Sequence, residues 1–250
     1  MLLQSKVAIV TGAGSGIGRA VALAYAREGA RVVLSDVNEE GGRETVRLIE
    51  QSAPGAQSVF ARADAARPED HEALVRTAVD HFGALHVACN NAGIGGELSP
   101  IAELSVDGWR KVIEVNLSGA FYAMRAQIPA MLSAGGGSIV NMASILGQVG
   151  TPAAAGYVAA KHGMLGLTQT AALEYSPKGL RVNAVGPGYI DTPLLDALPT
   201  EARQALVTLH PLGRLGRAEE VAELVVWLSS DRASFVTGAY YPIDGGYLAQ

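Results

Sequence analysis

A tyrosine and a lysine stand four residues apart in a segment, about residues 154–176, whose apolar spacing predicts a helix. Tyr157 and Lys161 therefore project from the same helix face, where the ammonium can act on the phenol. A free phenol has a pKa of about 10, so bringing it to about 7 requires about 4 kcal/mol of preferential stabilisation of the phenolate. The pair is a candidate acid/base, although an isolated Tyr-x-x-x-Lys more often marks only a helix surface.

A glycine-rich loop follows the first predicted strand. The strand Val7–Val10 runs directly into Thr11–Gly18, with the sequence TGAGSGIG, and a helix is expected from about residue 16. Backbone amides and the dipole at a helix N-terminus attract phosphate groups, so a dinucleotide pyrophosphate is the expected ligand. The spacing is T-G-x-x-x-G-x-G rather than the common G-x-G-x-x-G, and a plain tight turn is the alternative interpretation.

Asp36 ends the second predicted strand. If the glycine loop binds a dinucleotide, the protein is expected to place a carboxylate at this position to contact it. A carboxylate there accepts hydrogen bonds from both adenosine ribose hydroxyls and repels a 2′-phosphate, so Asp36 predicts NAD rather than NADP. The alternative is a helix N-cap, because Asp caps helices well and a helix opens at Asn38–Glu40. Arg19 and Arg31 are the nearby cations that a phosphate could use.

Short β-branched runs alternate with longer segments of helical periodicity, the pattern of a parallel sheet with helices on both faces. The predicted strands are Val7–Val10, Val32–Ser35, Ser58–Ala61, His86–Asn90, Ser138–Met142, Arg181–Val185 and Tyr240–Ile243. The predicted helices cover about residues 16–28, 39–51, 68–82, 105–133, 154–176 and 217–229.

These elements predict an α/β fold: a single doubly wound Rossmann-type domain over residues 1–250, with a seven-stranded, mostly parallel sheet. The long irregular stretch Gly186–Pro211 follows the sixth strand. Ligands of open α/β sheets bind at the carboxyl ends of the strands, so this stretch is interpreted as a lid over about residues 188–212.

Composition narrows the functional classes. The net charge is −5 without any basic run, so no nucleic acid partner is expected. The single cysteine, Cys89, excludes an internal disulfide and predicts a reducing compartment, and the five histidines show no metal-ligand spacing, so no metal is expected. No charged leader and no apolar run of about 18 residues is present, which predicts a cytoplasmic protein without a membrane segment.

Five motifs occur in order along the chain, and together they resemble the short-chain dehydrogenase/reductase family over essentially its whole length. They are Thr11–Gly18, the NNAG segment 90–93, Ser144 thirteen residues before the YVAAK segment 157–161, Pro187-Gly188, and the DGG segment 244–246. Each motif alone is a weak signal, but a chance coincidence of five is improbable. The resemblance implies an oxidoreductase of the NAD-preferring branch, acting on a small-molecule secondary alcohol or ketone and assembling as a homotetramer.

The resemblance also implies a role for each matching residue. Tyr157 would be the general acid/base, Ser144 would hold the substrate oxygen, Lys161 would also bind the nicotinamide ribose, and Asn116 would support a proton-relaying water. Asp64 and Ala65 would hold the adenine. The full set of implied cofactor ligands is Gly12, Ser15, Gly16, Ile17, Gly18, Asp36, Asp64, Ala65, Asn91, Ala92, Gly93, Tyr157, Lys161, Pro187, Gly188, Ile190 and Thr192.

Several of these residues also have plain structural interpretations. Ser144 could cap the segment after the fifth strand, and Asn116 could be a polar interruption within a helix. Asn91 could make a strand-end turn, and Asp64 could cap the helix that follows it. Cys89, inside an apolar strand, is interpreted as a small buried hydrophobic residue.

The expected substrate pocket is mostly apolar. Its predicted lining residues are Ser144, Ile145, Leu146, Gly95, Tyr189 and Leu194. We therefore expect a neutral, hydrophobic alcohol or ketone. Two alternatives stay open: an NADPH-dependent 3-oxoacyl-carrier-protein-type reductase, which Asp36 disfavours, and a non-catalytic NAD-binding regulatory protein, which the complete catalytic set disfavours.

Overall fold

A seven-stranded parallel sheet forms the centre of the protein in the computed structural model, which describes residues 1–196 and 199–250. The strands are β1 (Val7–Thr11), β2 (Arg31–Asp36), β3 (Ser58–Arg62), β4 (Val87–Asn90), β5 (Gly137–Met142), β6 (Leu180–Pro187) and β7 (Tyr240–Ile243). Their order is β3-β2-β1-β4-β5-β6-β7, and each neighbouring pair is parallel. The predicted fold class is confirmed, and every predicted strand is present within two residues of its expected bounds.

Helices connect the strands and cover both faces of the sheet. They are α1 (Gly16–Arg27), α2 (Glu39–Ser52), α3 (Pro68–Phe82), α4 (Val106–Ile113), α5 (Gly119–Ser133), α6 (Ala155–Tyr175), α7 (Thr200–Thr208) and α8 (Ala218–Ser229). The helix predicted over residues 105–133 is interrupted, because a π-helical segment, Glu114–Ser118, joins α4 to α5.

The segment after β6 contains a helix that the sequence did not predict. No side chain of α7 is fully buried, so the segment carries a weaker apolar pattern than the helices that pack on the core. The predicted lid of residues 188–212 also includes residues 197 and 198, which lie outside the described residues.

Two buried clusters lie on opposite faces of the sheet. Along β1, Ala8 and Val10 belong to the cluster that includes α1 and α8, whereas Val7 and Ile9 belong to the cluster that includes α3 and α5. Alternate side chains of one strand therefore enter two different cores, which is why the strand is apolar throughout.

The carboxyl ends of the strands form one edge on which ligands of this architecture bind. On one side of β1 lie β2 and then β3, and on its other side lie β4, β5, β6 and β7 in chain order. The crevice at such a reversal is the standard ligand position in open α/β sheets. The predicted cofactor loop, Thr11–Gly18, and the strand-end segment 90–93 meet at this point.

A buried polar network lies behind that edge. Gln127 donates to Asn90 at 2.8 Å, Asn90 donates to Asn141 at 3.0 Å, and Asn141 donates to Thr168 at 2.9 Å. These bonds join β4, β5, α5 and α6. Because a satisfied buried network has little freedom, it fixes the spacing of the elements that carry the site.

Cys89 is fully buried in β4, and burial raises the pKa of its thiol to about 12. Its interpretation as a buried apolar residue is confirmed. Within residues 1–196 and 199–250, no helix is both long and apolar enough to cross a lipid bilayer. The same ranges hold no cluster of three or more His, Cys, Asp or Glu side chains suited to a metal ion.

Candidate active site

Gly12 and Gly18, in the loop after β1, are packed too closely to admit a side chain. A Cβ at Gly18 would overlap the carbonyl oxygen of Gly12, and a Cβ at Gly12 would lie 2.9 Å from the Cα of Ala92. Gly12 also has a φ of +64°, which disfavours other residues. Ser15, the N-cap of α1, makes no side-chain cap hydrogen bond, so the first helix amides, including those of the predicted ligands Gly16 and Ile17, can face a ligand. This backbone cradle fits a pyrophosphate.

Asn91 ties β4 to the same loop. Its side-chain Nδ2 donates to the carbonyls of Thr11, at 3.0 Å, and Gly12, at 3.2 Å. The Thr11 hydroxyl in turn accepts the backbone amides of Asn91 and Ala92, at 3.0 and 3.1 Å. Asn91 thus makes no local strand-end turn, so that interpretation is wrong, and its side chain instead shapes the cofactor loop about 80 positions earlier in the chain.

Asp36 lies beside the loop at the end of β2. Its carboxylate accepts the amides of Gly14, at 2.8 Å, and Asn38, at 2.9 Å. The N-cap of α2 is Asn38, whose side chain accepts from Gly41, so the N-cap alternative for Asp36 is wrong. A Cβ at Gly14 would lie 2.8 Å from the Asp36 carboxylate, so only glycine leaves this close approach unstrained.

Arg19, one of the two nearby cations that a phosphate could use, is held by neutral partners. Its Nε donates to the Thr45 hydroxyl at 3.0 Å, and its guanidinium also donates to the carbonyls of Gly14 and Gly41. Three acceptors thus direct this guanidinium inward, between α1 and α2, and tie both helices to the glycine loop.

The predicted adenine residues are pinned to α3. The Asp64 amide donates to Asp70 at 2.8 Å, and the Asp64 carboxylate accepts the amide two residues later at 2.9 Å. The Ala65 carbonyl is bonded to His71 at 3.0 Å. Asp64 therefore stabilises a turn before α3, whose N-cap is Arg67, so the proposed capping of the helix by Asp64 is wrong.

Three predicted catalytic residues meet at the carboxyl end of β5. The Ser144 hydroxyl oxygen accepts the Leu146 amide at 3.1 Å and caps a short 3-10 helix. The Lys161 ammonium donates to the Met142 carbonyl at 2.7 Å and lies 5.4 Å from the centre of the Tyr157 ring. The capping interpretation of Ser144 is therefore correct, and it coexists with a position beside Tyr157.

The electrostatics of these residues differ from the sequence expectation. Burial raises the pKa of the Tyr157 phenol, hydrogen bonding by Ser144 lowers it, and the nearby Tyr189 phenol raises it. Burial also lowers the pKa of Lys161, which is 3% exposed, to about 8. Desolvation disfavours the charged forms of both residues, the Tyr157 phenolate and the Lys161 ammonium. The polypeptide alone therefore does not lower the pKa of Tyr157, contrary to the expectation from the sequence.

Asn116 occupies the π-helical segment and is fully buried. Its side chain accepts the Ile94 amide and donates to the Ile94 carbonyl, both at 2.8 Å. A Cβ at Gly93 would lie 3.2 Å from the Asn116 side-chain oxygen. Asn116 is therefore an anchor for the loop after β4 rather than a mere polar interruption, and π segments are frequent at functional sites.

The chain after β6 returns over the glycine loop. Gly188 donates its amide to Ile243 of β7 at 3.1 Å, directly after Pro187. Ile190 is buried, and a Cβ at Gly16 would lie 3.3 Å from the Thr192 side chain. The structure thus brings Thr192 to the predicted cofactor loop, whereas Gly188 lies against β7.

Comparisons with known proteins agree with this geometry. A family model described as enoyl-(acyl carrier protein) reductase matches residues 12–248. The chain belongs to the short-chain dehydrogenase/reductase family. It is 53% identical to a cyclohexanol dehydrogenase of Acinetobacter sp. (strain SE19), over 99% of this chain and 96% of that protein.

Two further relatives illustrate the family. The chain is 45% identical to a cis-4-hydroxycyclohexanecarboxylate dehydrogenase of Sinomonas cyclohexanicum, over 98% of this chain and 97% of that protein. Among solved structures, levodione reductase matches with a TM-score of 0.96 and 38% identity, covering 99% of both chains. This chain is accordingly an oxidoreductase of a family whose dehydrogenases use nicotinamide cofactors.

The predicted substrate residues of this short-chain dehydrogenase/reductase fall into two groups. Ile145 and Leu146, which follow Ser144, are buried, whereas Leu194 is 62% exposed on the segment after β6. A Cβ at Gly95 would meet no atom within 4 Å, so this position faces open space.

Two residues that support the site were missed by sequence reasoning. His210 accepts the Tyr189 amide at 3.2 Å and bonds the Leu206 carbonyl through its other ring nitrogen at 2.8 Å. Tyr240 of β7 donates to the Ser144 carbonyl at 3.0 Å. Neither residue belongs to a local sequence motif, because His210 bonds Tyr189, 21 positions away, and Tyr240 bonds Ser144, 96 positions away.

Proposed function

We propose that this protein is an NAD-dependent alcohol dehydrogenase/ketone reductase, acting on a neutral and hydrophobic secondary alcohol or ketone. One observation carries the proposal: the same sheet edge bears a glycine cradle with an adjacent carboxylate, Asp36, and a cluster of Ser144, Tyr157 and Lys161. The first set suits a dinucleotide with a free ribose 2′-hydroxyl, and the second suits proton transfer to a substrate oxygen.

The preference for NAD over NADP rests on charge. The Asp36 carboxylate is oriented by two backbone amides at the place where a ribose would lie. A 2′-phosphate would be repelled there, and Arg19 is engaged with Thr45 and two carbonyls. These contacts favour NAD and disfavour the NADPH-dependent carrier-protein reductase.

The cofactor would be held by the glycine cradle, Asp36, Asp64, Asn91 and the segment after Pro187. When bound, it supplies the hydride acceptor or donor. During oxidation, Tyr157 would accept the proton of the substrate hydroxyl, and during reduction it would return that proton to the carbonyl oxygen. Ser144 would donate a hydrogen bond to the same oxygen and orient it.

Lys161 would stabilise the Tyr157 phenolate and bind the nicotinamide ribose. Because burial raises the pKa of Tyr157, the phenolate needs nearby positive charge. The ammonium of Lys161, held by the Met142 carbonyl, is fixed for this role. Asn116 has its side chain engaged by Ile94, so it would support a proton-relaying water through the backbone of its π segment.

The proposed substrate class follows from the two apolar residues that come directly after Ser144 and from the segment of the proposed lid. Ile145, Leu146 and Leu194 are apolar, and Arg203 of α7 is paired with Asp191 and Asp196. A carboxylated substrate would have to compete with these two aspartates for that cation. Two relatives are named for alicyclic alcohols, one neutral and one carboxylated, which makes this the discriminating comparison.

Steady-state assays test the proposal. We expect oxidation of cyclohexanol with NAD, much weaker oxidation with NADP, and weaker oxidation of cis-4-hydroxycyclohexanecarboxylate. Turnover of a 3-oxoacyl carrier-protein thioester with NADPH, in preference to any alcohol with NAD, would establish the carrier-protein reductase instead.

The Tyr157→Phe variant separates an enzyme from a regulatory NAD-binding protein. We expect kcat to fall by about 10²- to 10⁴-fold, because general acid/base groups contribute on this scale, while NADH binding persists. NADH fluorescence titration supplies the binding control. Retention of turnover by the variant would reject the mechanism.

Two further assignments accompany the proposal. We propose a homotetramer, as the family resemblance implies, and light scattering of the purified protein checks it. We also propose that residues 188–212 act as a lid on a single domain of residues 1–250, and that the protein functions in the reducing cytoplasm, where a single thiol stays reduced.

A further inference from the structure

The last strand of the sheet reaches across to the catalytic serine. Tyr240, in β7, donates its phenolic hydroxyl to the backbone carbonyl of Ser144 at 3.0 Å, although 96 positions separate them. The phenol passes over Gly186 of β6, which lies between β5 and β7. A Cβ at Gly186 would overlap Tyr240, whose atoms are its three nearest neighbours. A glycine therefore leaves the gap that the phenol occupies.

The environment of Tyr240 keeps this hydroxyl a donor. The ring packs against a small buried cluster that includes Ala143, Met164 and Ala184, beneath α6. Burial raises the pKa of Tyr240 to about 12, and the negative charge of Asp244 acts in the same direction. The phenol therefore stays protonated over the pH range of any ordinary assay.

Ser144 is otherwise held by its own turn. Its hydroxyl oxygen accepts the Leu146 amide at 3.1 Å, and its carbonyl accepts the Gly147 amide at 2.9 Å. These two bonds lie within the turn itself. The preceding residue, Ala143, donates its amide to Val185 of β6 at 2.8 Å, and the bond from Tyr240 joins Ser144 itself to β7.

We propose that Tyr240 is a positioning residue, which sets the placement of Ser144 relative to Tyr157 by holding the Ser144 carbonyl. The proposal rests on the proposed function, because it assigns a purpose to the position of Ser144. Ser144 lowers the pKa of Tyr157 through hydrogen bonding. Loosening Ser144 should therefore weaken substrate orientation and also raise the apparent pKa of the acid/base.

The test compares Tyr240→Phe with Tyr241→Phe. Tyr241 is the next residue of β7 and stacks edge-on against Trp227, on the α8 side, so its variant removes one phenolic hydroxyl elsewhere on the same strand. With cyclohexanol and NAD, we expect Tyr240→Phe to lower kcat/KM about tenfold, the scale of one hydrogen bond. The pH midpoint of kcat should move to higher pH, and NADH affinity should stay within twofold of wild type.

Hydrogen–deuterium exchange adds a readout that is independent of turnover. The peptide containing residues 144–149 should exchange faster in Tyr240→Phe than in wild type or Tyr241→Phe. A Gly186→Ala variant should show the same signature, because its new Cβ must displace the Tyr240 phenol. Its effect on kcat/KM, combined with Tyr240→Phe, should be smaller than the product of the two single effects.

Three results would overturn the proposal: wild-type kinetics and pH profile in Tyr240→Phe, equal losses in Tyr240→Phe and Tyr241→Phe, or a parallel loss of NADH binding. Failure of the proposed function would give a different assay result. In that case the wild-type protein oxidises no alcohol with NAD, and the exchange of residues 144–149 then decides the role of Tyr240 by itself.

Discussion

The cofactor edge and the proposed lid are built in contrasting ways. The cofactor edge comprises the loop after β1 and the ends of β2 and β4, and it is held by close backbone packing and part-buried hydrogen bonds. The lid, residues 188–196 and 199–212, is held partly by Arg203, whose pairing with Asp191 and Asp196 is largely exposed to solvent.

This contrast matches the ligands that the two regions would meet. The cofactor presents the same chemical groups in every turnover, so a cradle that leaves no room for a Cβ binds it without needing to adjust. Substrates differ among relatives, and exposed ion pairs cost little to rearrange. The two regions touch where Thr192 lies against Gly16, so a change in the lid can alter cofactor binding.

The largest effect should come from crowding the cofactor edge. In Gly18→Ala, the new Cβ overlaps the Gly12 carbonyl, which is backbone and cannot move aside cheaply. We expect the free energy of unfolding to fall by about 3 kcal/mol and NADH affinity to fall more than tenfold. Urea unfolding and NADH fluorescence measure the two quantities.

A matched glycine variant serves as the control for this crowding. A Cβ at Gly150 would meet nothing within 4 Å, so Gly150→Ala should leave both quantities near wild type. Equal behaviour of the two variants would contradict the assignment of a close-packed cradle.

The second effect concerns the buried lysine of the catalytic cluster. Burial lowers the pKa of Lys161 from 10.5 to about 8, so between these values the unfolded chain binds more protons than the folded protein. Below pH 8 the ammonium carries its full desolvation penalty, and above 10.5 both states are neutral. Lys161 therefore makes wild-type stability rise with pH across this window, by about 3 kcal/mol.

The Lys161→Met variant isolates that contribution. Its free energy of unfolding, relative to wild type, should be higher at pH 7 than at pH 10, as urea titrations at each pH would show. Lys178→Met, which removes an exposed lysine, is the control for a general effect of lost charge. A difference between Lys161→Met and wild type that does not change with pH would refute the linkage.

The smallest effect should come from the lid. Arg203→Met removes two largely exposed ion pairs, so stability should change by at most about 1 kcal/mol, and the KM for cyclohexanol should rise by no more than about fivefold. Salt screens such pairs, so the difference from wild type should shrink at about 1 M NaCl.

Arg43→Met provides the comparison for the lid variant. Arg43 pairs with Glu39 on the surface of α2, so its loss should leave the KM unchanged. A fall in stability of several kcal/mol in Arg203→Met would show that the lid is held as firmly as the cofactor edge.

The sequence by itself determined the features that depend on local pattern. Short apolar runs located every strand, since the side chains of each strand pack into two different buried clusters. The spacing of four placed Lys161 beside Tyr157, because a helix repeats every 3.6 residues. The glycine spacing after β1 marked the cradle, because only residues without side chains tolerate that packing.

Only the tertiary structure decided the contacts between distant segments. The bonds of Asn116 to Ile94, of His210 to Tyr189 and of Tyr240 to Ser144 have no local signature. The raised pKa of Tyr157 likewise depends on how deeply the phenol is buried. Each of these outcomes depends on how separate elements pack around the sheet, and sequence periodicity reports only which face of an element is buried, not what lies against it.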